Sequence, residues 1–182
     1  MRGERADERA HDPSLPGMHH AVLVMFGDTI ETIELMSIIP DSNSNVLTLA
    51  EANAALLEVV KLVEQLQQLQ RAMLTHEQQR EELTNKLSGG NGHSKSALQD
   101  QIDAGIAQHD QLVAEGEDTF DRLNQCGAML KDLESGLIDF YGERNGAVIL
   151  LCWRQGEALR VQYWHTLEGG FAGRQPVDDL IR

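Results

Sequence analysis

From Thr48 to Leu87 the chain runs without a proline, and its apolar residues recur in steps of three and four. One series is Leu49, Leu56 and Val63; a second is Ala52, Val59, Leu66 and Met73. That spacing lays an apolar seam along one side of an α-helix, as in coiled coils. Thr48-Leu49-Ala50-Glu51 opens the stretch as a capping box, with the Thr hydroxyl taking a first-turn amide and the Glu reaching back to the cap. A helix over 48–87 is about 60 Å long. Ser88-Gly89-Gly90-Asn91-Gly92 ends it, because glycine tolerates the left-handed conformation of a helix C-cap. Ser96-Ala97-Leu98-Gln99 then reads as a second capping box, followed by Leu98, Ile102, Leu112, Leu123, Leu130 and Leu133 at similar spacing. A helix returning after so short a loop runs antiparallel to the first, which predicts a helical hairpin over 48–134. Its weak points are Gly105, Gly116 and Gly127, each costing up to ~1 kcal/mol relative to Ala.

Beyond the hairpin the pattern changes. Gly136–Tyr141 reads as a strand, Glu143-Arg144-Asn145-Gly146 as a turn built on Asn-Gly, and Ala147–Trp153 as a nearly continuous apolar strand. Leu159–His165 alternates apolar and polar residues and closes a three-stranded meander over 137–166, with a loop over 167–182. Such a sheet must cover its apolar face, and the base of the hairpin is the available partner. The predicted class is α+β: a long, coiled-coil-like antiparallel two-helix hairpin carrying a small three-stranded antiparallel sheet at its base.

Residues 1–45 read as an N-terminal extension, disordered in part or produced by a misassigned start. Its first residues, MRGERADERAHDPSLPG, are too charged and too broken by Pro and Gly to bury much surface. The remaining 46–182 form one domain. With a net charge of −14, the chain lacks the cationic face that nucleic acid or an anionic membrane demands. No apolar run approaches the ~20 residues of a membrane span, and Ala21–Phe26 is too short and lacks the small-residue cleavage site of a signal peptide. Cys126 and Cys152 fall on different elements without a Cys-x-x-Cys pattern, and read as buried, reduced thiols of a cytoplasmic protein.

Four ordered motifs carry a resemblance. Thr48-Leu49-Ala50-Glu51-Ala52-Asn53, the run Lys131-Asp132-Leu133-Glu134-Ser135-Gly136-Leu137-Ile138-Asp139-Phe140, Leu151-Cys152-Trp153-Arg154, and Trp164-His165 through Gly170-Phe171-Ala172-Gly173-Arg174-Gln175-Pro176 resemble a bacterial family known as domain of unknown function 2203. The resemblance covers roughly residues 46–177. It implies that members begin a few residues before Thr48, from which residues 1–45 depart, and it implies no activity.

Unusual chemistry concentrates near the C-terminus, in YWHTLEGGFAGRQP over 163–176. If hairpin positions pair so that their numbers sum to about 184, Glu51 faces Leu133 beside Lys131, Asp132 and Glu134. The sheet docks at that same base. Glu51, Lys131, Asp132, Glu134, Asp139, His165, Glu168 and Arg174 are therefore expected to form one polar cluster, with Trp153, Trp164 and Phe171 as its aromatic and loop neighbours. Within it His165, Glu51 and Asp139 are the candidate ligands of a divalent metal. The chain carries no HExxH motif, no Cys/His quartet and no phosphate-binding loop, so ion pairing and capping account for the same residues without a ligand. Catalysis by Cys152 would need His165 as its base. His109 is expected opposite Thr75, beside His76.

Two functions follow from these residues. The first is a cytoplasmic interaction or scaffold protein, self-associating or binding a protein partner through Leu57, Val60, Leu69 and Leu74, which lie outside the seam, with no cofactor and no catalysis. The second is a small metal-binding protein or metal-dependent enzyme at the helix–sheet junction.

Overall fold

A computed structural model describes residues 46–89 and 95–180; the expected extension over 1–45 lies outside them. Helix α1 spans Leu49–Gly89 and α2 spans Lys95–Gln125. Strands β1 (Ala128–Asp132), β2 (Leu137–Arg144), β3 (Ala147–Arg154), β4 (Tyr163–His165) and β5 (Gln175–Pro176) follow, with 3-10 turns at Phe171–Gly173 and Val177–Leu180. The two helices pack as an antiparallel hairpin. Its register is marked by Gln65 Nε2 donating to Glu115 Oε1 at 3.0 Å and by Arg122 paired with Glu58 at 3.2 Å. The class is α+β as expected, but the sheet has five antiparallel strands in the order β1-β2-β3-β4-β5 rather than three.

The first capping box forms as read. Thr48 Oγ1 accepts the Glu51 amide, and Glu51 Oε2 accepts the Thr48 amide at 2.8 Å. The second does not: α2 already includes Lys95 and Ser96, and Gln99 donates forward to Asp103 at 2.9 Å. The larger correction is at the hairpin's base. The helix ends at Gln125, and Gly127, at φ 76°, turns the chain into β1. Leu130 and Leu133 thus keep their apolar role but supply it from a strand and its turn, buried against the sheet's core. Alternation within Ala128–Asp132 buries Ala128 and Leu130 on one face, which a helical seam would not distinguish.

Asn145 and Gly146, at φ 54° and 78°, make the two-residue turn between β2 and β3. Only Tyr163–His165 of the expected third strand pairs, because Val161 leaves the sheet to donate its amide to Asn53 Oδ1 at 2.7 Å. Gln67 fastens the opposite corner, donating to the Leu133 carbonyl at 2.9 Å and to Gln155 Oε1 at 2.8 Å. Neither Asn53 nor Gln67 stands out by composition, since each is one polar residue among many on a long helix.

The core lies between the helices and one face of the sheet. Ala52, Leu56, Val59, Leu62, Val63 and Leu66 meet Ile138, Phe140, Leu151, Trp153 and Trp164 there. Trp153 donates its indole N–H to the Ala158 carbonyl at 2.9 Å, as a buried indole should. Of the four apolar positions expected outside the seam, Leu69 is buried and Val60 packs against the core, while Leu57 and Leu74 are exposed. Cys152 is a buried free thiol as expected; Cys126 is free but only half-buried.

Candidate metal centre

Strand register decides which side chains meet. Asp139 pairs with Cys152 across β2 and β3, Cys152 with Tyr163 across β3 and β4, and Leu150 with His165. Side chains alternate between faces along a strand, so Asp139, Cys152, Tyr163 and His165 share one face while Ile138, Phe140, Leu151 and Trp164 take the other. The second set belongs to the core beneath the helices. The polar set therefore lies on the face turned away from the hairpin, not at the helix–sheet junction.

Asp139, Cys152 and His165 are 2%, 0% and 3% exposed. Their ligand atoms all lie within 4.8 Å of one another. His165 Nε2 stands 3.4 Å from Asp139 Oδ1, and this Oδ1 makes no hydrogen bond among the described residues. On the far side of the ring, Nδ1 is 2.8 Å from the Thr166 carbonyl. A carbonyl only accepts, so Nδ1 carries a proton and Nε2 is the nitrogen left to face Asp139.

Burial alone pulls the His165 pKa down, but Asp139 and the Thr166 carbonyl outweigh it and leave it raised; the charge of Lys131 opposes them. Burial first, and then Asp139, push the Cys152 thiol far up. By itself that thiol stays protonated at neutral pH, which removes it as a free nucleophile. A bound cation reverses this, since a coordinated thiol is deprotonated outright.

A strap over 166–176 runs across this face. Arg174 grips Glu157 with two hydrogen bonds, Nη1 to Oε1 and Nη2 to Oε2, both 2.7 Å. Its guanidinium lies 4.1 Å from the Tyr163 ring centroid and 4.7 Å from that of Phe171. The Arg154 guanidinium stands 5.0 Å from the same Phe171 ring. Glu157 is held below the ordinary carboxylate range: burial works against ionisation, but the Arg174 hydrogen bonds and the Arg154 amide overcome it.

The expected cluster is thus divided. Asp139 and His165 converge, Lys131 acts on His165 by its charge, and Arg174 covers the neighbouring Tyr163. Glu51 is excluded as a ligand, because it is exposed and its carboxylate is committed to Thr48. Asp132 accepts from the Ser135 amide at 2.8 Å and from its hydroxyl, closing the β1–β2 turn. Glu134 and Glu168 are exposed, and Phe171 belongs to the strap rather than to a pocket wall. Glu77 is held below the ordinary carboxylate range mainly by its hydrogen bonds from Arg80, against burial, with the charges of Arg80 and His109 adding smaller effects.

Cys152 is the member that sequence reasoning passed over as a ligand. It sits in the apolar run of β3, where a thiol looks like one more small hydrophobe. The detectable signal was parity, because Cys152 and Trp153 must point to opposite faces of a strand covered on both sides.

Comparison with curated proteins and with solved structures found no match. A family model described as an uncharacterized conserved protein (DUF2203) matches residues 45–177, a span that contains both helices, all five strands and the Asp139–Cys152–His165 group. The chain belongs to the domain of unknown function 2203 family.

Proposed function

We propose that this protein binds a divalent transition-metal ion through Asp139, Cys152 and His165. The observation that carries the reading is the 3.4 Å separation of Asp139 Oδ1 and His165 Nε2. A charge-assisted hydrogen bond between them would be about 2.7–2.9 Å long. Two ligands each about 2.0–2.1 Å from a tetrahedral metal stand about 3.4 Å apart. The separation thus fits two ligands of one cation better than a short charge-assisted hydrogen bond, which supports the reading.

The surroundings agree. Thr166 holds the outer ring nitrogen as carbonyls do behind metal-bound histidines, fixing the tautomer that presents Nε2. Charge balance selects the ion. A carboxylate, a thiolate and a neutral imidazole carry −2, which a divalent cation cancels in a site this buried. One thiolate and one imidazole among three ligands suit zinc, iron(II) or cobalt(II) better than magnesium or calcium, which take oxygen.

The test is elemental analysis of untagged protein after incubation with zinc and exhaustive dialysis. One ion per chain is expected, with loss in Asp139→Asn, Cys152→Ser and His165→Ala variants that retain wild-type circular dichroism. Wild-type protein without stoichiometric metal leaves Asp139 and His165 as an ordinary buried ion pair and overturns the reading.

A further inference from the structure

Three protein ligands leave a tetrahedral ion one coordination position short, and closed structural sites fill all four from the protein. On the same face, a second buried polar atom lacks a partner. Arg174 has five N–H bonds; Nη1 and Nη2 serve Glu157, while Nε, buried, makes no hydrogen bond among the described residues. An unpaired buried donor costs about 1–3 kcal/mol, so Arg174 Nε–H calls for a partner.

The placement of Arg174 is specific. Pro176 is the cross-strand partner of Tyr163, and Tyr163 that of Cys152. Arg174 stands two residues before Pro176, hence on the same face, and lies 4.1 Å from the Tyr163 ring centroid. In strand order Asp139 and Arg174 thus stand on opposite sides of Cys152 on one face, and among the described residues Asp139 Oδ1 and Arg174 Nε each lack a hydrogen-bond partner.

We propose that the centre is an open, ligand-exchanging metal site whose fourth ligand is the oxygen of a small anion, a carboxylate or inorganic oxyanion, bound by the metal on one side and accepting a hydrogen bond from Arg174 Nε–H on the other. This rests on the metal reading above. The Arg174–Glu157 pair is already charge-neutral, so the guanidinium contributes direction through its remaining N–H more than net attraction. The strap that carries Arg174 closes over the bound anion.

The experiment uses the full chain loaded with cobalt(II), whose visible absorption reports coordination, titrated with inorganic phosphate and separately with acetate. Either anion should shift the cobalt bands saturably. Arg174→Lys keeps the positive charge but removes the Nε–H, and should weaken that response at least tenfold while cobalt remains stoichiometric. Glu157→Gln loosens the strap yet keeps the Nε–H, and should respond within about threefold of wild type. Stoichiometric cobalt with no anion response overturns this proposal alone and leaves a closed structural site. Equal weakening in both variants overturns the role of Nε–H and assigns the effect to strap closure. Failure of the wild-type chain to take up cobalt overturns the metal reading and this proposal together.

Discussion

Replacing Glu157 with Gln tests the latch of the strap with minimal change of shape. The carboxylate holds Arg174 by two 2.7 Å hydrogen bonds, and the two side chains are 17% and 11% exposed. Breaking a fully buried pair costs about 3–5 kcal/mol, because one charge is left uncompensated. Exposed pairs are worth about 0.2–1 kcal/mol. At this exposure the cost falls between them, at about 2–3 kcal/mol. For a domain of this size each kcal/mol moves the Tm by about 2–4 °C, so Glu157→Gln should melt about 4–12 °C lower at pH 7. The sign with pH follows from the Glu157 pKa, which lies below its ordinary value of 4.5 in the folded protein. Its stabilisation is fully present above 4.5 and is lost as pH falls through the lower folded value. The gap between wild type and variant, followed by calorimetry from pH 7 downward, should therefore hold above pH 4.5 and close below it. A gap under about 0.5 kcal/mol at pH 7, or one of constant size at every pH, refutes the argument that a buried charge pair latches the strap.

Three further substitutions test the frame that holds the site. Gly136 has φ 59°, and a Cβ there would stand 2.7 Å from Gln155 Cβ, so Gly136→Ala should cost about 2–4 kcal/mol in urea unfolding. A cost below 1 kcal/mol would mean that the β1–β2 turn yields freely. Leu56→Ala removes a fully buried side chain from the helix–sheet core and should lower stability by about 3–5 kcal/mol, checked by chemical denaturation with an unchanged m-value. Gln67→Ala takes away the donor shared by the Leu133 carbonyl and Gln155, and should cost about 1–2 kcal/mol, with faster amide exchange around Gly136 than around Asn145.

The helical hairpin was legible without coordinates because its determinants are local. A capping box, an unbroken apolar seam and a glycine cluster each act within a few residues, and Thr48 and Glu51 satisfy each other as their spacing demands. The same locality misled at the hairpin's base. Leu130 and Leu133 continue the seam in sequence, but Gly127 at positive φ ends the helix, and alternate burial turns the following residues into a strand.

The site depended on something no local pattern carries. Asp139 and His165 were recognisable as candidates by residue type, but so was Glu51, whose carboxylate is spent on its own helix cap. Whether a carboxylate on one strand meets an imidazole two strands away is decided by register, since a shift of one residue would send every side chain of a strand to the opposite face. Pairing of Asp139 with Cys152 and of Leu150 with His165 brings three ligand atoms together under the strap. The sequence by itself determined the two helices, the Asn-Gly turn and the apolar strand. Only the tertiary structure decided that Cys152 stands between Asp139 and His165, because strand pairing joins residues that periodicity along the chain treats as unrelated.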